Sequence, residues 1–174
     1  MRFWFLLTAA ALAMSVVVFS TPAAHAVSAD VVCVGTETVT YEPGLSLTPQ
    51  TVNVTVHGTL APCISSDPKI TSGAYDQHFT ATLSCVTLVN GLAATRVFNW
   101  SNGQSSSFSY NRAINDVAGQ TTVTFAGTIV SGKFAGDTAI EQVAFVTLNT
   151  LQCLTSPGLT TLGPGPAILT IAGI

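Results

Sequence analysis

Charged residues are scarce in this chain. Lysine, arginine, aspartate and glutamate make up 7% of the 174 residues, whereas about 25% is typical of soluble domains. Without the first 26 residues, which are discussed below, the chain keeps four basic residues against eight acidic ones. Four scattered cations cannot form the basic stripe that a phosphate backbone requires. We therefore expect no nucleic-acid partner and no binding to an anionic membrane surface.

Recognisable catalytic and metal-binding motifs are also missing. No G-x-S-x-G turn marks a serine nucleophile, and no D-x-D-x-D run offers several oxygens to calcium. The spacing of the three glutamates gives no sign that any two of them converge; they are Glu37, Glu42 and Glu141. The sequence therefore predicts no catalytic residues, no metal site and no cofactor, and it favours a protein that is not an enzyme.

One long apolar run does occur, at the N-terminus. Residues 3–19 are apolar except for Thr8 and Ser15, Arg2 precedes them, and Ala24 and Ala26 form an A-x-A end. These three parts are typical of a secretory signal peptide, and the run is slightly short for the roughly 20 residues of a membrane span. We expect cleavage after Ala26, a single domain over residues 27–174, and a freely secreted extracellular protein.

All four cysteines follow the predicted cleavage site. The gaps between them are 29, 21 and 67 residues, so the chain has no close C-x-x-C pair of the kind that binds zinc. An even number of cysteines in an exported protein indicates two disulfides, which can pair in three ways. We prefer Cys33–Cys63 with Cys85–Cys153, because the first bond closes a short N-terminal loop and the second joins the rest across the core.

Polar and apolar residues alternate through most of the remaining chain, without sustained helical periodicity. Asn-Gly pairs at 90–91 and 102–103 predict tight hairpins. The pattern predicts strands at about 31–41, 51–57, 78–89, 95–100, 105–111, 120–130, 139–148 and 167–171. We expect an all-β fold, a two-sheet antiparallel sandwich of about eight strands, with a closed β-barrel as the alternative.

The segments between the predicted strands carry loop signals. Residues 58–70 and 112–118 are predicted as loops, and residues 163–166 (Gly-Pro-Gly-Pro) as the turn before the last strand. Residues 142–151 are the one place where a short helix could compete with a strand.

Three aromatic residues are the candidate ligand-binding residues. Trp100 and Tyr110 lie on strands joined by the 102–103 hairpin, so their rings could approach each other; Tyr75 is the third. Exposed rings would form an apolar platform for a glycan or another protein. Buried rings would belong to the core.

The leading interpretation is a non-catalytic domain that binds a partner or has a structural role outside the cell or in the cell envelope. One alternative is a secreted hydrolase of extracellular polymers, for which His57 and His78 are the only plausible general bases. Both are predicted on outward strand faces, where Asp67 or Asp76 could meet them. Another alternative is a secreted protease inhibitor with a disulfide-braced loop near Cys63.

Several short segments resemble those of small secreted bacterial proteins from actinobacteria. They are 33–37 (CVGTE), 41–45 (YEPGL), 62–63 (PC), 108–112 (FSYNR), 134–137 (FAGD) and 151–155 (LQCLT). This group has no assigned activity, so the resemblance implies only export and the cysteine framework. More loosely, the chain resembles immunoglobulin-like sandwiches, since Trp100 lies between Cys85 and Cys153, but at a spacing unlike that of an antibody domain.

Overall fold

The chain forms a closed β-barrel of eight antiparallel strands. The structure, a computed structural model, describes residues 29–86, 93–117, 119–146 and 151–173. Each strand pairs with the next one along the chain, and β8 returns to pair with β1. The elements are β1 (Ala29–Leu45), β2 (Gln50–Ser65), β3 (Gly73–Leu83), β4 (Ala93–Trp100), β5 (Ser105–Val117), β6 (Gln120–Gly132), β7 (Thr138–Val146), a 3₁₀ turn (Gln152–Leu154) and β8 (Leu159–Ala172).

The prediction of an all-β fold with eight strands and two disulfides is confirmed, and the sheet closes into the barrel that was the second of the two expected architectures. The predicted loops at 58–70 and 112–118 are wrong in large part, because β2 runs on to Ser65 and β5 to Val117. The 163–166 turn lies inside β8, and residues 142–146 belong to β7. In each case cross-strand pairing outweighs the local turn or helix signal.

Two sequence predictions fall on parts of the chain that the structure does not describe. The signal peptide at 1–26 and the hairpin at 90–91 both lie outside the described residues. The second hairpin, at 102–103, is confirmed between β4 and β5, with Gly103 at a φ of 83°. This is the left-handed region that glycine adopts without strain.

Bulges in the long first strand help the sheet to close. The pairing of β1 with β2 shifts register between Cys33 and Gly35, and bulges of this kind bend and twist a strand. A Cβ atom at Gly35 would lie 1.9 Å from the carbonyl oxygen of Thr59, so the two backbones can approach this closely only at a glycine. Such bends allow one sheet to curl until its first and last strands meet.

The two disulfides join the cysteines as preferred from the sequence. Cys33 and Cys63 sit directly opposite each other on β1 and β2, with their Cα atoms 4.1 Å apart. Cys85 follows β3 and bonds to Cys153 in the segment before β8, with a Cα separation of 6.4 Å. Because neighbouring strands run in opposite directions, the two bonds lie at opposite ends of the barrel.

The barrel interior is tightly packed at the end that holds the Cys33–Cys63 bond, which we call the closed end. Phe98 packs against Trp100 and Phe108, with ring centroids 5.6 and 5.7 Å apart. Aliphatic side chains fill the remaining space there, and they include Leu60, Ile70, Ile129, Leu169 and Ile171, each at most 1% exposed. This aromatic and aliphatic cluster is the hydrophobic core.

In the described part of the barrel, backbone pairing between neighbouring strands is least extensive between β3 and β4. Among the described residues, these strands pair only at Gly73 with Trp100 and at Ala74 with Asn99. Farther along, the side-chain amide of Gln77 donates a 3.0 Å hydrogen bond to the carbonyl oxygen of Thr95. We call this line of weak pairing the seam. The other neighbouring strands are joined by between six and twelve residue pairs.

Deleting residues 167–174 should prevent folding, because β8 closes the barrel by pairing with both β1 and β7. We expect no protease-resistant product from this truncated chain. The control is a chain that lacks only Ile174, which keeps all of β8. If the shorter chain resisted trypsin as well as the control does, this account of barrel closure would be contradicted.

Candidate functional site

The barrel half opposite the closed end contains a cavity of about 470 Å³, which we call the cavity. This volume lies within the roughly 300–1,000 Å³ range of small-molecule sites. Most of the lining side chains are apolar, and they include Val54, Val56, Phe79, Val123, Phe125 and Phe145. A space of this size and composition can take up a small molecule that is itself largely apolar.

Charged side chains meet inside the barrel at the floor of the cavity. The Arg96 guanidinium donates through Nη1 to Glu37 Oε2, at 3.1 Å, and through the same nitrogen to Glu141 Oε2 at a shorter distance. The Tyr75 hydroxyl donates a 2.8 Å hydrogen bond to Glu37 Oε2. We call these four residues the polar belt. None is more than 3% exposed, and Glu37 and Arg96 line the cavity.

Aromatic rings surround the charged group at the centre of the belt. The guanidinium carbon of Arg96 lies 4.4 Å from the ring centroid of Tyr75 and 4.2 Å from that of Phe125, and the ring of Tyr110 is 5.1 Å away. A guanidinium is attracted to the faces of such rings, most strongly where water is excluded. The ring of Tyr75 can occupy this position because residue 58 is a glycine. A Cβ atom at Gly58 would lie 2.0 Å from the ring.

The belt holds more potential negative charge than positive charge. Burial raises the pKa of Glu141 to about 7, although the nearby Arg96 acts to lower it. Burial is the largest single influence on Arg96 and opposes its charge, but the combined electrostatic effect of Glu141, Tyr75, Glu37 and Tyr110 outweighs burial and raises the pKa of Arg96 above its ordinary range. Arg96 therefore stays charged, while Glu141 changes its protonation state near neutral pH.

Two atoms of the belt are buried without a hydrogen-bond partner: Nε of Arg96 and Oε1 of Glu141. A buried polar atom that lacks a partner costs about 1–3 kcal/mol. Buried polar atoms of this kind are few in natural proteins. The Arg96 side chain lines the cavity, but its Nε is closed off from solvent and therefore also from a molecule in the cavity.

The residues of the belt come from strands that are far apart in the sequence. Arg96 shares the inward face of β4 with Phe98 and Trp100, and Glu141 shares that of β7 with Val143 and Phe145. The sequence analysis found no sign that any two glutamates converge, whereas Glu37 and Glu141 meet at Arg96. The sequence did contain one signal for this meeting. Arg96 and Glu141 each lie an even number of positions from buried aromatic residues of the same strand, so their side chains must also face the interior.

The candidate ligand platform of Tyr75, Trp100 and Tyr110 does not lie on the surface. All three side chains are buried, at 0%, 4% and 6% exposure. Trp100 and Tyr110 are at different levels of the barrel: Tyr110 pairs with Ala94, whereas Trp100 donates through Nε1 to Ser106 Oγ at 2.8 Å. Of the three, only Tyr110 lines the cavity, while Tyr75 supports the belt.

The features behind the two alternative functions lie away from the cavity. His57 and Asp76 form an exposed pair on the outer wall, with Nδ1 and Oδ1 2.6 Å apart, and His78 is hydrogen-bonded to Thr55. The residues around Cys63 belong to β2 and do not form a projecting loop. Within the described ranges, no three potential ligands gather as a metal site. The same ranges include no helix with the length and apolar character needed to span a membrane.

Comparison with known proteins finds no family model, no curated protein and no solved structure that matches this chain. The resemblance to small secreted proteins of actinobacteria therefore stays a prediction. The case for a function depends on the cavity and the polar belt.

Replacing Arg96 by Met should destabilise the protein by about 3–5 kcal/mol, because two buried carboxylates lose their common partner. Urea unfolding measures the change. As a control, Lys69→Met alters an exposed side chain and should change stability by no more than about 0.5 kcal/mol.

The triple variant R96M/E37Q/E141Q tests the cause of that loss. With both carboxylates neutral, we expect it to be clearly more stable than R96M alone. A cost of R96M below about 1 kcal/mol, or a triple variant no more stable than R96M, would contradict the assigned role of the ion pairs.

Stability should fall as pH rises from about 4.5 to 7. In this range folded Glu141 keeps a proton that the unfolded chain has lost, since its pKa is raised from 4.5 to about 7. The loss should be on the order of 1–3 kcal/mol. Urea midpoints of the wild type and of E141Q between pH 4.5 and 7.5 measure it, because the difference between the two profiles removes every contribution that both proteins share. Parallel profiles would show that Glu141 does not titrate in this range.

Proposed function

We propose that this is a secreted, non-catalytic binding protein that holds a small, largely apolar molecule inside its barrel. The single observation that carries the proposal is the cavity, bounded by apolar walls and by a floor that carries a buried arginine. An eight-stranded barrel is just wide enough for its interior to be filled by side chains or to hold one small ligand. Here side chains fill one half and leave the other half open.

The distribution of polar groups also supports a binding role. Binding pockets usually combine a mainly apolar lining with a few polar groups that orient the ligand. The cavity has this arrangement, with Glu37 and Arg96 at the floor and the ring of Tyr110 on the wall. A structural role alone would be served as well by a barrel filled along its whole length, since unfilled apolar space costs stability.

Secretion is supported by chemistry and by the sequence pattern. Two disulfides fit a protein of the extracellular space, because the cytosol keeps thiols reduced. The A-x-A pattern ending at Ala26 supports export through a cleaved signal peptide. N-terminal sequencing of protein collected from culture medium tests this part, and a chain that still begins at Met1 would contradict it.

The binding role is tested with N-phenyl-1-naphthylamine, an uncharged dye whose fluorescence rises in apolar surroundings. We expect saturable, one-to-one binding by the oxidised protein. Ala81→Trp should reduce the affinity at least tenfold, because this side chain lines the cavity and an indole would occupy part of it.

The matched control is Thr82→Trp, one residue farther along β3, where the side chain points outward and is exposed. It should bind the dye like the wild type. Equal loss in both variants, or dye binding that does not saturate, would mean that the dye binds outside the cavity and would overturn the proposed function.

A further inference from the structure

The charges around the cavity bear on the class of molecule that it accepts. Four charged side chains line it, namely Glu37, Arg96, Arg112 and Asp116. Two of them are basic and two acidic, so their formal charges cancel. Glu141 lies directly behind Arg96 and adds a carboxylate. The cavity therefore has no excess positive charge in either protonation state of Glu141.

The cation at the floor already has its anionic partners. Nη1 of Arg96 donates to both carboxylates of the belt, and aromatic rings cover the guanidinium. A carboxylate or sulfonate on a bound molecule would leave water to face a floor whose cation is already paired, and whose net charge is zero with Glu141 protonated and negative with Glu141 ionised. At the floor, the loss of hydration would then have no compensating ion pair. Arg112 is the other cation that lines the cavity.

Nε of Arg96 offers no open hydrogen-bond donor to a bound molecule. This atom is buried without a partner and has no access to solvent, although the side chain lines the cavity. The rings of Tyr75, Tyr110 and Phe125 cover the guanidinium. The cation at the floor is therefore neither unpaired nor open to a bound anion.

Resting on the proposed function, we infer that the cavity selects uncharged, largely apolar molecules and excludes organic anions such as fatty acids.

Two dyes that share one ring system test the exclusion of anions. N-phenyl-1-naphthylamine is neutral, and 8-anilinonaphthalene-1-sulfonate adds one sulfonate to it. At pH 8 we expect the wild type to bind the neutral dye at least tenfold more tightly. A tenfold difference in affinity is on the order of the interaction energy of two unit charges near a protein surface. Equal affinities would overturn the inference and leave the proposed function intact, whereas failure of both dyes to bind would overturn both.

Variants then identify the source of the selectivity. E37Q/E141Q removes both carboxylates of the belt, so the preference for the neutral dye should fall at least tenfold. Asp76→Asn removes an exposed carboxylate from the outer wall and should leave the preference unchanged. A sulfonate dye that binds more tightly than the neutral one, and loses its affinity in Arg112→Met, would show that Arg112 receives an anion and would overturn the inference.

Discussion

The contact of Arg96 with Glu37 and Glu141 is the constraint on which much of this barrel depends. The three side chains come from β4, β1 and β7, which do not neighbour one another in the sheet. A buried charge without its partner costs several kcal/mol. If one of these strands slipped by a single residue, its charged side chain would turn outward and leave the others unpaired. The ion pairs therefore favour one register of the closed sheet over its neighbours.

The belt also divides the interior into two halves with different contents. On one side, large rings such as Phe98 and Trp100 meet one another and exclude empty space. On the other side the inward residues include small ones, such as Ala81 and Ala94, which leave room between the walls. The same alternation of inward and outward side chains runs through both halves. Small residues at some inward positions, and not a change in the alternation, leave part of this half unfilled.

Alternation along the chain was enough to predict most strands, and Val52, Val54 and Val56 are all buried as it indicates. It could not decide between sandwich and barrel, because alternation reports which side chains share a face and not whether the sheet closes. The belt was missed for a related reason. Arg96 lies 59 positions from Glu37 and 45 from Glu141, so only closure of the sheet brings them together.

The seam between β3 and β4 has a consequence for how the barrel can move. Elsewhere the strands are joined by longer ladders, so separating them breaks many backbone hydrogen bonds at once. Along the seam, the described residues beyond Ala74 and Asn99 are joined by side-chain contacts, namely the hydrogen bond of Gln77 with Thr95 and the packing of Tyr75 against Phe98 and Arg96. Phe79 of β3 and the start of β4 line the cavity beside this line. A small parting of these two strands on the cavity side of the belt would therefore open the wall beside Phe79, while Tyr75 keeps its contacts with β4 and the core at the closed end stays intact.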